Sequence, residues 1–590
     1  MTYELGKWTL DDLFTAHNSE GMKEAFKTLE EQVEKLETYR ERLNPNMDVE
    51  EFMSLIELEE VSTRLASRVG QYAGLWFSED TQNQAAQTFQ AKVQQFMAGL
   101  RNRTLFFSLW WKSLDDEQTK RFMNVAGEYR YWLEEIRNFK PYTLTEPEEK
   151  VINIKDVTGI NAIRTLYSSI TNRYSFKVQV NGEEKDLTRG ELMALVQGSD
   201  PEVRARAYQE LYRVYGDDGH ILGQMYQSIV RDFRNENLDL RGFASPISVR
   251  NLVNDIPDEV VETLLEVAEQ NTGLFQRFFK MKAKWLKVEK LRRYDIYAPV
   301  VSADKTYAYG DAVQMVLDSF EDFSPRVSQL AKRVFDEGHI DSSVRKGKRG
   351  GAFCSSGDPA LTPYVLVNFN GKANDVGTIS HELGHAIHAM LAEHRNVFSF
   401  HSSLPLAETA STFAEMLLID RLLAQETDEE VRVDILFSQI DDAYATIMRQ
   451  VFFGLFERQA HEMIAQDASV EELADAYMKN LEKQFGDAVE IGEEFRWEWV
   501  SIPHIYQVPF YVYAYAFGQL LVLALYQQFQ QEGDAFIPRY LELLSAGGSM
   551  APIDILDKAG VDVRTPEFWQ GGFDVLSRMV DELEAIQQPA

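Results

Sequence analysis

The sequence predicts a mainly α-helical fold with a few short β-strands. Apolar residues recur at three- and four-residue steps over most of the 590 residues, which is the periodicity of amphipathic helices. Hydrophobic residues make up 45% and aromatic residues 12% of the chain, enough to build a large core. Strand-like alternation is confined to a few short segments. We therefore expect a large helical protein with small sheets.

Helices are predicted wherever the apolar residues keep this spacing. The predicted helices cover residues 22–43, 50–68, 81–109, 115–137, 201–215, 258–286, 375–392 and 429–465. A separate apolar stretch, residues 505–526, is about as long as a membrane span. It carries Gln507, Pro509 and Gln519, and no second apolar segment lies beside it. These features favour a helix buried in the core over a membrane span.

Strand signals appear at four places. Residues 175–180 alternate between apolar and polar side chains, reach Asn181-Gly182, and are followed by a return segment to residue 188. Asn-Gly is typical of a two-residue hairpin turn, so a β-hairpin is predicted near 175–188. The other predicted strands are residues 294–300, 351–355 and 364–369. A boundary after the hairpin would divide the chain into residues 1–190 and 191–590.

Charge and cysteine content exclude several classes of protein. The chain has 93 acidic and 60 basic residues, a formal charge of −33, which would repel nucleic acid and anionic lipid surfaces. Cys354 is the single cysteine, so an intrachain disulfide is excluded and a reducing compartment is favoured. Residues 1–14 lack a basic segment followed by an apolar one. We expect a cytoplasmic location and neither a nucleic-acid nor a membrane partner.

The residues that carry chemistry lie in the predicted helix 375–392. It contains His381-Glu382-Leu-Gly-His385, the His-Glu-x-x-His pattern. Residues four apart share one helical face, so both imidazoles can bind one zinc ion. Glu382 can then act as general base toward a metal-bound water. His388, three residues further on, is interpreted as a packing neighbour of the site.

A zinc ion held by two histidines needs a third protein ligand. The metzincin pattern is excluded, because His388 and Leu391 stand where its glycine and third histidine would be. The nearest suitable carboxylate is Glu408, which follows Pro405 at the start of a helical pattern. Glu415 lies two turns later on the same face and is predicted to orient a ligand histidine. Glu408 is therefore preferred over Glu415 as the ligand.

These motifs resemble the thimet oligopeptidase and oligoendopeptidase F family of zinc metallopeptidases, on the oligoendopeptidase F side. The resemblance covers roughly residue 110 to the end of the chain. Besides the zinc motif, it rests on several spaced segments in the right order: Val157-Thr-Gly159, residues 294–299, residues 348–353, Ile502-Pro-His504, residues 544–549, residues 559–562 and Phe568-Trp569.

The resemblance implies a large helical metallopeptidase with a deep substrate channel and a small β-sheet beside the zinc helix. His381, His385 and Glu408 would hold one Zn²⁺, and Glu382 would be the catalytic base. The family also places a histidine and tyrosines over the substrate carbonyl, and residues 504–515 resemble that segment. His504 is expected there, with Tyr511 ranked first and Tyr513 second among four tyrosines that also include Tyr506 and Tyr515.

The predicted function is zinc-dependent hydrolysis of internal bonds in short peptides, in a chain of unknown oligomeric state. One alternative is a zinc exopeptidase of the carboxypeptidase kind, which would need a charged group to hold a peptide terminus. The other is a non-catalytic helical peptide-binding protein with a structural zinc ion. Glu382 argues against the second alternative, because a structural zinc site does not require it.

Overall fold

The computed structural model describes residues 3–301 and 305–586, and its secondary structure is mainly α-helical, as predicted. The helices, in chain order, are α1 Glu20–Glu37, α2 Val49–Glu79, α3 Gln84–Thr104, α4 Phe106–Ser113, α5 Asp116–Met123, α6 Arg130–Asn138, α7 Glu146–Thr158, α8 Ile160–Thr171, α9 Arg189–Val196, α10 Pro201–Asp217, α11 Gly219–Arg234, α12 Pro246–Asn254, α13 Asp258–Gln270, α14 Thr272–Trp285, α15 Tyr309–Phe323, α16 Pro325–Asp336, α17 Ala373–Leu391, α18 Leu404–Ala407, α19 Thr409–Gln425, α20 Glu429–Ala443, α21 Arg449–Ala465, α22 Val470–Phe485, α23 Pro503–Gln507, α24 Tyr513–Glu532, α25 Ile537–Ser545, α26 Pro552–Lys558 and α27 Pro566–Ala585.

The strands form three small sheets. They are β1 Phe176–Val180, β2 Glu183–Leu187, β3 Leu291–Arg292, β4 Ile340–Asp341, β5 Phe353–Ser355, β6 Tyr364–Leu366 and β7 Val489–Glu490. Strands β1 and β2 pair antiparallel and confirm the predicted hairpin, with Asn181 in the left-handed conformation that its turn requires. Strands β3 and β7 pair in parallel. The third sheet has the order β4-β6-β5, so β5 is an edge strand.

The chain folds into two compact units, each built from three segments. Unit 1 contains the described parts of residues 1–140, 305–425 and 528–562, and unit 2 those of 141–304, 426–527 and 563–590. The predicted division after residue 190 concerns consecutive domains, which these spatial groupings do not test, and it stays a prediction.

In unit 1, the three-stranded sheet and helices α17 and α19 position the zinc-binding motif. Strand β6 is fully buried between its two neighbours, and its Tyr364 and Leu366 pack into the aromatic core of helices α1–α6. Helix α17 packs along α19 and also contacts β5 and β6. Its Ser380 hydroxyl donates a hydrogen bond to the Ala414 carbonyl of α19 at 2.9 Å. The motif helix is thus fixed on one side by a sheet and on the other by a helix.

Some helix and strand limits differ from the predictions. The predicted helix 115–137 is two helices, because residues 124–129 leave the helical path between α5 and α6. The predicted helix 258–286 breaks at Asn271, between α13 and α14. In the predicted helix 429–465, a π-helical turn at Tyr444–Met448 joins α20 to α21. A π-turn adds about one residue to a turn and so interrupts the regular α-helical spacing.

The predicted strand 294–300 was wrong. A single 3-10 turn covers Arg293–Asp295, and the strand nearest to it is β3, one step earlier. Asp295 accepts hydrogen bonds from the Arg204 side chain at 2.9 and 3.1 Å, and both side chains of this ion pair are buried. The alternation of side chains along residues 294–300 gives no information about Arg204, which is far away in sequence.

The apolar stretch 505–526 is confirmed as part of the core. It contains the end of α23 and most of α24, where eleven residues are buried. In the described chain, every helix falls short of the length and apolarity that a membrane crossing demands.

Candidate active site

Helix α17 brings His381 and His385 onto one face, one turn apart. Their ring centroids lie 4.9 Å apart, and both side chains are about one-quarter exposed. The backbone spacing of the helix alone accounts for this convergence.

Gly384 lets α17 approach α19 closely at the same level. A Cβ atom on Gly384 would lie 2.5 Å from the Cα atom of Ser411 and 2.6 Å from the carbonyl oxygen of Ala410. Real Cβ contacts are never that short, so only glycine permits this helix spacing. The close approach is what carries the residues around Ser411 toward the histidines.

Glu408 lies between α18 and α19 and turns its carboxylate toward the two histidines. Its Oε2 atom is 3.4 Å from Nε2 of His381 and 3.4 Å from Nε2 of His385. The Ser411 hydroxyl donates a hydrogen bond to the same Oε2 atom at 2.8 Å. The candidate ligand atoms of His381, His385 and Glu408 all lie within 4.8 Å of one another. The structure therefore brings together the three residues predicted as ligands.

Glu415 contacts the other side of the His381 ring, as predicted. Nδ1 of His381 lies 2.6 Å from Oε1 of Glu415 and donates a hydrogen bond to that carboxylate. This bond holds the Nδ1 proton toward Glu415 and leaves Nε2 as the ring nitrogen that can give up its proton and bind a cation. Nε2 is the atom that faces Glu408, so His381 is oriented to bind a cation there.

The electrostatics of the cluster suit a cation. Burial alone would lower the pKa of His381, but hydrogen bonds to Glu408 and Glu415 raise it to about 10. Burial would raise the pKa of Glu408, but hydrogen bonds to His381 and His385 hold it far below its ordinary value. Two carboxylates thus face His381, and the local field attracts positive charge.

Glu382 is buried at the same site, with 6% of its surface exposed. Burial raises the pKa of its carboxyl, while the neighbouring His381 and His385 oppose that rise. Glu382, His381 and His385 line one cavity of about 380 Å³ in unit 1. A carboxyl with a raised pKa in a cleft is the usual environment of a general base.

Other side chains of this cavity were not predicted from sequence to take part in the chemistry. Cys354 of β5 lies in its lining, and burial and the nearby Glu382 raise the pKa of the thiol. His388 and His401 also line the cavity, and burial lowers the pKa of His388 to about 4. The helical spacing of His388 from His385 signalled its position, whereas no sequence pattern pointed to His401.

The residues present fit a zinc ion. Two imidazole nitrogens and one carboxylate oxygen are the donor set of one class of catalytic zinc site. A carboxylate bonded to the far nitrogen of a ligand histidine, as Glu415 is here, is the usual supporting contact in such sites.

In unit 2, His504 of α23 forms an aromatic group with Tyr511 and Tyr515. The rings of His504 and Tyr511 are parallel with centroids 5.9 Å apart, and the Tyr515 hydroxyl lies 3.3 Å from Nε2 of His504. Burial lowers the pKa of His504, which favours the neutral imidazole. Tyr515 is 38% exposed, so this group offers polar atoms at a surface.

The other two tyrosines of the segment lie in the core. Tyr513 is 1% exposed, and its hydroxyl accepts a hydrogen bond from Asn254 at 2.9 Å. The hydroxyl of Tyr506 donates to the carbonyl oxygen of Leu222 at 3.2 Å, and its ring stacks on Tyr167. The predicted roles of Tyr511 and Tyr513 stay predictions, but only Tyr511 lies with His504.

Comparison with known proteins agrees with these features. Residues 194–575 match the model of peptidase family M3, and residues 110–176 match that of oligopeptidase F. The chain is 30% identical to the group B oligopeptidase PepB of Streptococcus agalactiae, over 90% of both chains. It is 27% identical to the chromosomal oligoendopeptidase F of Lactococcus lactis subsp. cremoris, over 87% of this chain and 86% of that one.

A crystal structure of oligoendopeptidase F from Enterococcus faecium has the same fold. Its TM-score is 0.71 at 24% identity, covering 96% of this chain and 98% of that one. The chain therefore belongs to peptidase family M3 and is a peptide-hydrolysing metallopeptidase of the oligoendopeptidase F group.

Proposed function

We propose that this protein is a zinc endopeptidase that cleaves internal bonds of short peptides in the cytoplasm. The observation that carries the proposal is the convergence of His381, His385 and Glu408 within 4.8 Å, beside the buried carboxyl of Glu382. The single cysteine supports a reducing compartment.

In this proposal, His381, His385 and Glu408 hold one zinc ion. Bound zinc supplies a Lewis acid that polarises a carbonyl group and makes water more acidic. Glu415 keeps the His381 ring in its tautomer, and Ser411 orients the Glu408 carboxylate. These contacts reduce the reorganisation that binding a cation would otherwise require.

Glu382 is the proton carrier. Its carboxylate accepts a proton from the attacking water and delivers it to the nitrogen of the leaving amine. The raised pKa supports this role, because a carboxyl closer to neutrality both takes up and releases a proton readily.

His504, Tyr511 and Tyr515 are assigned to the oxygen of the scissile carbonyl. Attack on the carbonyl carbon leaves negative charge on that oxygen, and phenol or imidazole donors stabilise it. The partly exposed positions of these side chains support the assignment, whereas Tyr506 and Tyr513 have hydroxyl partners in the core.

The endopeptidase activity and the preference for short peptides rest on the family. The relatives named above are an oligopeptidase and an oligoendopeptidase. Together with the motifs that extend from residue 110 to the end of the chain, these names favour internal cleavage over trimming from an end.

The test is mass spectrometry of peptides of graded length, some end-blocked and some with free ends, after incubation with zinc-loaded protein. We expect internal cuts in the short members, lost on chelation and lost in the Glu382→Gln variant. Cleavage restricted to peptides with free ends would favour an exopeptidase. A protein that binds zinc and leaves every peptide intact would favour a peptide-binding role.

A further inference from the structure

The turn that joins α23 to α24 has an unusual backbone at Phe510. Its φ is +57°, in the left-handed region that bulky side chains rarely adopt. Phe510 is also buried, at 1% exposed. Such a conformation persists only where surrounding contacts impose it, and it is concentrated at functional positions.

A buried side chain that holds this turn is Glu457 on α21. The backbone N–H of Phe510 donates a hydrogen bond to Oε1 of Glu457 at 3.0 Å. Glu457 is 0% exposed. One turn further along α21, the ring of His461 packs on that of Phe510 with centroids 4.8 Å apart. A single helix therefore holds both the amide and the ring of the strained residue.

This turn sets the positions of the aromatic group. On one side, the Val508 N–H bonds to the carbonyl of His504 at 2.8 Å, and on the other the Tyr511 N–H bonds to that of Val508 at 3.2 Å. Phe510 is the direct neighbour of Tyr511. A change of φ at Phe510 would rotate the chain between His504 and Tyr511 and separate their rings.

We infer that Glu457 is a positioning residue for catalysis, because its buried carboxyl holds the Phe510 turn that places His504, Tyr511 and Tyr515. The inference rests on the function proposed above for that group. Glu457 does not itself contact substrate in this scheme. It acts through the backbone amide of Phe510.

The protonation of Glu457 is set by its surroundings. Burial raises the pKa of its carboxyl to about 8, opposed by the bond from Phe510 and by the charge of Arg250. Arg250 faces it from α12 and Tyr226 from α11, and His461 lies on its own helix. Among the described residues, its Oε2 atom has no hydrogen-bond partner. Burial thus favours the neutral carboxyl, whereas the bond from Phe510 and the charge of Arg250 favour the carboxylate.

The test compares Glu457→Gln, Glu457→Leu and the control Glu462→Gln, an exposed glutamate on the same helix. Gln keeps an acceptor and is neutral at every pH, while Leu removes the acceptor. We expect kcat to fall about 10- to 100-fold in Glu457→Leu with KM and zinc content unchanged, and to stay within about threefold in the other two variants.

Glu457→Asp supplies a second readout in case the Leu variant does not fold. Asp keeps the carboxyl but is one methylene shorter, so it loses the reach to the Phe510 amide, and we expect kcat to fall about fivefold or more with KM and zinc content unchanged. Wild-type kcat in folded Glu457→Leu or in Glu457→Asp, or a loss in Glu457→Gln as large as that in Glu457→Leu, would overturn the inference. Failure of the proposed function would appear separately, as zinc-loaded wild type that cleaves no blocked peptide.

Discussion

Glu415 on α19 accepts a 2.6 Å hydrogen bond from Nδ1 of His381 on α17. The bond joins two helices that are 34 residues apart at this point, and it determines which imidazole nitrogen faces Glu408. Glu415 therefore orients His381 for binding a cation, although Glu415 itself does not reach the cation position.

The first prediction separates these two glutamates. We expect Glu415→Ala to lower zinc affinity about 10- to 100-fold, because His381 loses only its orienting partner. Glu408→Ala should lower it further, since one of three ligands is removed. Competition with a chromogenic chelator measures both. Weaker binding in Glu415→Ala than in Glu408→Ala would mean that the ligand assignment is reversed.

Glu382→Gln tests the proton carrier. The amide fills the same space but cannot accept a proton from water, so we expect kcat to fall about 10²- to 10⁴-fold. Zinc content, measured by atomic absorption, should equal that of the wild type because no ligand is changed. Substantial activity in this variant would assign the proton transfer to another residue.

The tyrosines can be separated by removing single hydroxyl groups. We expect Tyr511→Phe or Tyr515→Phe to lower kcat about 10²- to 10³-fold, if that hydroxyl donates to the carbonyl oxygen. Tyr513→Phe should instead leave kcat near that of the wild type and lower stability by about 1–3 kcal/mol, because Asn254 would lose its buried partner. Steady-state kinetics and denaturant unfolding distinguish the two results. A large loss of kcat in Tyr513→Phe alone would contradict the assignment.

Two glycines of α17 form a matched pair. Gly384→Ala would force α17 away from Ser411 and Ala410, and we expect a loss of about 1–3 kcal/mol together with weaker zinc binding. Gly377→Ala meets nothing within 4 Å and should stabilise the helix by up to about 1 kcal/mol. Chemical denaturation of zinc-free protein measures the change in stability for each variant. Equal changes in stability for the two substitutions would show that the close approach of α17 to α19 does not contribute to stability.

The pH dependence of stability can be tested at Glu59 on α2. Burial raises the pKa of this carboxyl from its ordinary value of 4.5 to about 7. Because the folded-state pKa is raised, the contribution of Glu59 to the free energy of unfolding is fully present below pH 4.5. It is lost as the pH rises through 7. The melting temperature of Glu59→Gln, measured by calorimetry, should therefore rise relative to that of the wild type between pH 5 and pH 8, by on the order of 2 °C. A gain that is constant with pH would contradict the shift.

Much of the site was predictable from sequence because its determinants are local. Helical spacing places His381 and His385 on one face wherever a helix forms, and α17 matches the predicted segment within two residues at its start. Glu415 was identified in the same way, by its two-turn separation from Glu408 on one helical face. Turn chemistry predicted the hairpin at Asn181-Gly182, since few residues tolerate its backbone.

What the sequence by itself determined is the helical class, the metal-binding motif, its family and the short list of tyrosines. The tertiary structure alone decided which tyrosines accompany His504, because all four fit the same local pattern and only distant partners such as Asn254 and Leu222 separate them. It also revealed Glu457, which is 53 residues from Phe510 in sequence. Interactions of that range depend on the packing of the whole unit, which no local periodicity encodes.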